Sequence, residues 1–419
     1  MGNRKFVAAL AALPLTMVGA QAAHAAPGDP VKFADGLTFD PIIEGRLRYE
    51  GVDTPTVDAD AVTMRLRAGF EIKSKSGLSF LAEGEGTLGI DNSYNAFPFA
   101  VASHQRRTQY AVVSDPENID LNRLQIAYRT KKGAITIGRQ RINLDDQRFV
   151  GSVAWRQNEQ TFDAVRGEAT LGPVSLDVTY ANAQRSIFGV DAGPRQSYGG
   201  DFVFAGAGMK LGPVNAKAFS YLLSYDEAFF FANSSASYGG RATASLPLTK
   251  AWKLNLAGSY ARQTDYGTNP VRYKADYVAA EAALAGKALT VTAGYELLGG
   301  DAKAGKSFQT PMATLHKFNG FADLFLTTPQ TAAYGGLQDL YGGIAYKFDG
   351  VKALPGLNAA VTYHQFDSDY GNLRYGTEWN ATLGFKVKRY LVSAKYANYQ
   401  AQGFGVDTKK LWLQIDFAY

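Results

Sequence analysis

The sequence predicts an all-β fold, a transmembrane antiparallel up-and-down β-barrel of about 18 strands. Three observations carry that prediction. Strand-length segments alternate apolar and polar residues, the connections between them alternate short and long, and the chain ends on an apolar-every-second run closed by aromatic residues. Composition agrees: of 419 residues 46% are hydrophobic and only 19% charged, with 44 Gly, 24 Tyr and 25 Phe, a mix suited to strands and tight turns rather than helical bundles. Cys is absent, which excludes disulfides, thiolate nucleophiles, Cys-type zinc and iron–sulfur clusters. Charge is nearly balanced, 43 Lys plus Arg against 38 Asp plus Glu, so any electrostatic bias must come from placement.

In chain order, residues 1–25 read as a cleaved signal peptide. Arg4 and Lys5 form a positive start, Phe6 to Ala20 is mostly apolar, and Ala23-His24-Ala25 has the spacing of a cleavage site. The apolar run is shorter than the roughly 20 residues a membrane-crossing helix needs. Residues 26–419 are then the barrel, and they hold no apolar run long enough for a transmembrane helix.

The first strands show the alternation plainly. Ile43, Gly45, Leu47 and Tyr49 alternate with Glu44, Arg46, Arg48 and Glu50; Val62, Met64, Leu66, Ala68, Phe70 and Ile72 alternate with Thr63, Arg65, Arg67, Gly69, Glu71 and Lys73. Glu83 and Glu85 take the inward phase of the next strand. The pattern recurs in Leu124, Ile126 and Tyr128 against Arg123, Gln125 and Arg129, and in Val174, Leu176, Val178 and Tyr180 against Ser175, Asp177 and Thr179. One such strand fits a soluble sandwich equally well, because only one face of either is apolar. Repetition over the chain favours a barrel with a polar lumen and a lipid-facing exterior.

Connections support this. Short ones lie at Ser74 to Gly77, Thr130 to Gly133, Leu171 to Pro173, Leu211 to Pro213, Ala285 to Lys287 and Val387 to Arg389; long ones at Asp91 to Asn118, Gln140 to Gln160, Gln184 to Gly199, Asp226 to Ser237 and Leu297 to Asp339. Short periplasmic turns and long external loops are the outer-membrane pattern, and an even strand number puts both termini on the periplasmic side. The first strand is placed near Ile42. The last segment sets Leu411, Leu413, Ile415, Phe417 and Tyr419 on one face, which resembles the C-terminal signal of outer-membrane barrels and makes Phe417 and Tyr419 the expected contacts for barrel-assembly machinery.

Motifs for chemistry are few. His104, His316 and His364 are far apart in sequence and fall in external loops or at strand ends, with no metal-ligand spacing. No Gly-x-Ser-x-Gly elbow, phosphate loop, dinucleotide fingerprint or basic block for nucleic acid occurs. An outer-membrane lipid hydrolase would not need that elbow, so it stays open as an alternative. No enzyme activity and no cofactor are expected.

The segment from Ile137 to Val165 places Arg139, Arg141, Arg148 and Arg156 beside Asp145, Asp146 and Glu159. A loop salt-bridged onto itself and a folded-in constriction gripping foreign carboxylates through forked hydrogen bonds explain this equally well. Here the chain resembles the alginate export porins of bacterial outer membranes: Gly-Arg-Gln at 138–140, Arg-Phe-Val-Gly-x-x-x-Trp at 148–155, Thr-Phe-Asp-Ala at 161–164, and the loop from Thr310 to Asp323 look like that family's wording, with the barrel pattern extending the likeness over the mature chain. The resemblance implies a monomeric barrel of about 18 strands in the outer membrane, surrounded by its lipid. It also implies passive export of a polyuronate such as alginate through a cationic lumen. The expected lumen and substrate path is Arg46, Arg48, Arg65, Arg67, Lys73, Arg123, Arg129, Arg139, Arg141, Arg148, Arg156 and Arg166, with Glu83 and Glu85 beside them. The acidic neighbours depart from a strongly cationic wall and leave fewer cations free. A small-solute uptake porin and a structural barrel plugged by its long loops are the other readings.

Overall fold

The computed structural model describes residues 31–418. The expected signal peptide and Tyr419 lie outside the described residues. A short strand, Val31–Ala34, folds back on the start of the first barrel strand. Eighteen barrel strands follow. They are β1 Leu37–Asp53, β2 Ala59–Ser74, β3 Leu78–Ser93, β4 Asn118–Arg129, β5 Gly133–Gln140, β6 Thr161–Leu171, β7 Val174–Arg185, β8 Ser197–Leu211 and β9 Val214–Tyr225. The second half comprises β10 Ser235–Pro247, β11 Lys253–Asp265, β12 Lys274–Ala285, β13 Leu289–Leu298, β14 Leu337–Lys347, β15 Asn358–Asp367, β16 Arg374–Val387, β17 Tyr390–Ala401 and β18 Thr408–Ala418. Each pairs antiparallel with its neighbours in sequence, and β1 pairs with both β2 and β18, so the sheet closes. The closed, even-numbered barrel is the predicted one, begun five residues earlier than Ile42.

Burial runs opposite to that of a soluble protein. On β2, Met64 and Leu66 are 44% and 48% exposed while Arg65 and Arg67 are 2% and 1% exposed. On β18 the odd-numbered Leu411, Leu413 and Ile415 are exposed and Trp412 and Gln414 are buried. An apolar exterior over a polar interior is stable only in hydrocarbon. Among the described residues no helix is long and apolar enough to cross a membrane; the strands do so.

Turn chemistry fixes the hairpins. In the two Leu-Gly-Pro connections the strands pair up to Leu171–Val174 and Leu211–Val214, leaving a two-residue loop whose Gly172 and Gly212 take φ of 62° and 60°. Such loops need positive φ at the first central residue, and Pro follows where no ladder donor is required. β-bulges adjust the register on the long-loop half of the barrel: Glu83 pairs with Arg123 but Gly84 with Leu121, so Asn122 is the extra residue.

The core sits inside the barrel rather than outside it. Loops 141–160 and 299–336 fold inward, and their Ile142, Leu144, Val150, Trp155, Phe308, Met312, Phe321 and Phe325 pack with inward-facing Phe204, Phe219, Tyr221, Tyr277, Tyr375 and Trp412 of the wall. Phe149 touches Phe219, Tyr221, Tyr277 and Phe308 at ring separations of 5.0 to 5.9 Å. The two loops bridge to each other where Val150 meets Met312.

Candidate functional site

The lumen site is built by one wall, two loops and the opposite wall. On the first wall, strand alternation lines up inward charges: Glu44, Arg46, Arg48 and Glu50 on β1, Arg65 and Arg67 on β2, Glu83 and Glu85 on β3, and Arg123 on β4. Register places Arg46 opposite Arg65 and Glu44 opposite Arg67. Loop 141–160 lies on this row. Arg46 donates through Nη1 to the carbonyls of Ala154, Trp155 and Arg156 at 3.2, 2.9 and 3.1 Å and through Nε to Asp416 at 2.7 Å. Arg48 meets Asp115 at 3.1 Å, donates to the Trp155 carbonyl, and stacks 4.2 Å from the Trp155 ring centre. Arg67 is held by Glu85, by Glu159 at 2.9 Å and by Glu44 at 3.5 Å. Glu83 accepts from Arg123 Nε at 2.9 Å, Arg141 at 3.1 Å and Asn122 at 2.8 Å, and Arg141 also bonds Glu159.

Two loop arginines cross to other strands. Arg156 pairs with Glu50 at 3.0 Å and with Asp323 of the second loop at 2.8 Å. Arg148 forks onto Glu296 of β13 at 2.7 and 3.2 Å and donates to Thr310 at 3.2 Å and Asn319 at 3.0 Å. The second loop is pinned by its own contacts: Phe321 and Ala322 donate backbone N–H to Glu378 at 2.6 and 2.9 Å, and His316 bonds Asp323 at 2.8 Å while stacking on Trp155 at 4.7 Å. Burial disfavours ionised Glu159 and Asp323, yet Arg141 and Arg67 hold Glu159, and His316, Lys410 and Arg156 hold Asp323, below the usual carboxylate range. Burial opposes the charge of Arg156 as well, and Glu50, Asp115 and Asp323 outweigh it.

The arrangement brings Arg46, Arg48, Arg65, Arg67, Arg123, Arg141, Arg148, Arg156, Glu83 and Glu85 into one internal network. Nearly all of these cations already hold a carboxylate of the protein. Arg65 is the partial exception, with Glu44 at 3.9 Å and no partner for Nε or Nη1. The others lie elsewhere. Lys73 sits near the short-turn end with Asp40 at 2.8 Å and Glu71 at 3.1 Å, Arg129 is exposed at the end of β4, and Arg166 bonds Asp177 and Glu168 on the β6–β7 wall. Arg139 is a correction. It shares the phase of outward Ile135 and Ile137 and forks onto Asp163 at 2.7 and 2.9 Å, outside the lumen. Grouping it with the loop arginines overlooked that β5 runs on through Gln140.

Loop 141–160 is fastened to the β1–β4 wall, and a pocket of about 70 Å³ remains against β10–β15, bordered by Asp146, Arg241, Glu281, Lys317, Phe318 and Tyr341. Sequence reading missed Arg241, Lys217 and Lys317. Arg241 was findable, since it alternates with outward Tyr238, Gly240 and Ala242 on β10. His316 and His364 are both buried in the lumen, not in external loops, and His364 bonds Asp339 at 2.9 Å. The described residues contain no cluster of metal-ligating side chains.

Closed antiparallel strands, short turns at one end and loops folded into a charged lumen define a transmembrane β-barrel of the outer-membrane type. Solved structures share this fold. Pseudomonas aeruginosa OpdK with vanillate superposes with a TM-score of 0.70 at 15% identity, covering 93% of this chain and 100% of that one. Acinetobacter baumannii OccAB3 gives 0.68 at 14%, covering 91% and 99%. P. aeruginosa OccK2 (OpdF) in complex with glucuronate gives 0.65 at 16%, covering 91% and 97%. Residues 56–185 match the family model for alginate export. That stretch, from β2 to β7, includes the motifs at 138–164 on which the resemblance was read; the loop at 310–323 lies beyond it, so the likeness covers this part rather than the whole mature chain. No protein of curated function matches the sequence.

Proposed function

We propose that the protein is a passive outer-membrane channel for anionic saccharides of the uronate type. The observation that carries this reading is the convergence of Lys217, Arg241 and Lys317, from three separate elements, on two adjacent loop residues: the Asp145 and Asp146 carboxylates pair with Lys217 and Arg241, and the Asp146 carbonyl accepts from Lys317. A path for carboxylated sugars needs cations that attract the solute yet release it, and the Lys217 and Arg241 side chains stay 21% and 14% exposed. The alginate export match over residues 56–185 and the glucuronate held by OccK2 support the same chemistry.

One feature favours small uronates entering over a polymer leaving. Loops 141–160 and 299–336 fill much of the lumen with packed side chains, and the small pocket left against the wall would admit a short solute by displacement of a loop tip rather than a polymer. Residues 1–25 would direct export and be removed, and Phe417, with the terminal Tyr419, would be read by the assembly machinery. The alternative of a lipid hydrolase, which would carry its site on the lipid face, is tested by lipase assays on the purified protein.

Single-channel recording of the refolded protein tests the proposal, with glucuronate, oligouronates or neutral maltose on one side. Current block by the uronates and not by maltose is expected. Equal response to all three would make it a general porin, and block by long oligouronates alone would restore polymer export.

A further inference from the structure

The inserted loop turns over at residues 144–148, and its tip takes a backbone that side-chain-bearing residues seldom adopt: Asp145 has φ 51° and Gln147 φ 70°. That turn presents two neighbouring carboxylates to the far wall. Asp145 accepts from Lys217 Nζ at 3.0 and 3.1 Å and from Tyr221 Oη at 3.3 Å, both on β9. Asp146 Oδ2 lies 2.8 Å from Arg241 Nη1 of β10. The Asp146 carbonyl accepts from Lys317 Nζ of the second loop at 2.8 Å. Among the described residues, no other carboxylate forms a salt bridge with Lys217 or Arg241, and none with Lys317; Glu281 acts on Arg241 and Lys317 from a greater distance across the pocket.

These contacts differ in kind from the clamps that fasten the loop. The Arg67–Glu159 and Arg156–Glu50 pairs have side chains at most 6% exposed, whereas Lys217, Asp145, Arg241 and Asp146 keep 14% to 22% of theirs in solvent. A dry pair broken on one side leaves an uncompensated charge, while a hydrated pair exchanges one anion for another at little cost. The tip is therefore the part of the loop that a competing anion can displace, and Asp146, Arg241 and Lys317 border the pocket against β10–β15.

We infer that Lys217, Tyr221, Arg241 and Lys317 form a carboxylate-binding site on the permeation path and that Asp145 and Asp146 are its built-in competitor, displaced by an incoming uronate. This rests on the uronate reading above. Self-occupancy lowers apparent affinity by the fraction of time the site is free. It also keeps the cations neutralised when no solute is present.

The test is current block by glucuronate, titrated in wild type, in D145N/D146N, and in the latter combined with K217M or R241Q, each first checked for the heat-modifiable gel mobility of a closed barrel. Asp→Asn keeps the shape and one acceptor oxygen of each tip side chain and removes its charge. The half-blocking concentration is expected to fall about tenfold in D145N/D146N as competition is lifted, and K217M or R241Q should abolish the gain. A control, Asp177→Asn, removes a lumen carboxylate paired to Arg166 instead. An equal gain in that control would show a general charge effect and overturn the inference. Wild-type block that D145N/D146N leaves unchanged would overturn it while the uronate reading stands. Absence of glucuronate block in every variant would overturn both.

Discussion

Arg148 joins both inserted loops to the wall, and replacing it isolates what holds them in the lumen. Its guanidinium forks onto Glu296 and bonds Thr310 and Asn319, with side chains of 3% and 8% exposure for the Arg and Glu. It also lies 4.8 Å from the Phe318 ring centre. Arg148→Met would fill much of the same volume but leave the Glu296 carboxylate buried without its cation, a loss of about 3–5 kcal/mol for a dry pair broken on one side. Tyr277 and Asn319 still donate to Glu296, at 2.7 and 2.6 Å, which places the cost toward the lower end. At about 1.4 kcal/mol per tenfold, the docked-to-undocked ratio of the loops falls by about a hundredfold or more. Limited proteolysis within 141–160 and 299–336, read alongside heat-modifiable mobility, should show faster loop cleavage in an intact barrel. Arg148→Met/Glu296→Gln removes the lone charge as well and should recover much of the protection. Unchanged cleavage in the single variant, or a double variant no better protected than the single, would refute the clamp.

Three further outcomes follow from the same geometry. Gly45 faces Phe417 across the closing seam, and a Cβ there would fall 1.9 Å from the Phe417 ring; Gly45→Val should therefore impair barrel closure, measured as loss of the heat-modifiable band. His316 Nε2 lies 2.8 Å from Lys395 Nζ, and its Nδ1 lies 2.8 Å from Asp323 Oδ1. Burial, with Lys395 and Arg156 adding to it against Asp323, holds its pKa well below the ordinary value. The undocked loop then binds the extra proton first, so docking is at full strength above about pH 6.5 and weakens as pH falls below it. Channel current at pH 5 should be larger or noisier than at pH 7.5, and flat behaviour over that range would contradict this. Arg139→Ala, which changes a residue outside the lumen, should leave ion selectivity unchanged in reversal-potential measurements.

Local pattern carried the barrel class a long way. Strict alternation on β1, β2, β7 and β18 assigns each side chain to lipid or lumen, because a one-residue step reverses the face and hydrocarbon rejects charge. Alternation alone puts Arg139 outside, in step with Ile135 and Ile137, against the preference of hydrocarbon for uncharged groups, and its pairing with Asp163 is what permits it there. The bulge at Asn122 is harder to see, as it turns Asn122 and Arg123 to the same face without any Gly or Pro to announce it.

The amino-acid order thus determined strands, turns and which face holds charge, since those depend on neighbours a few positions apart. It could not decide what the lumen arginines hold. Arg148 meets a carboxylate 148 positions away and Arg156 one 167 away, and such pairings follow from barrel circumference and the path of two loops. Whether Arg67 or Arg156 grips a solute or the protein's own Glu159 and Glu50 is settled only when the loops fold in. The same closure leaves the pocket between Arg241, on the wall opposite the arginine row, and Lys317 of the second loop, because the space a loop occupies is decided by everything it packs against.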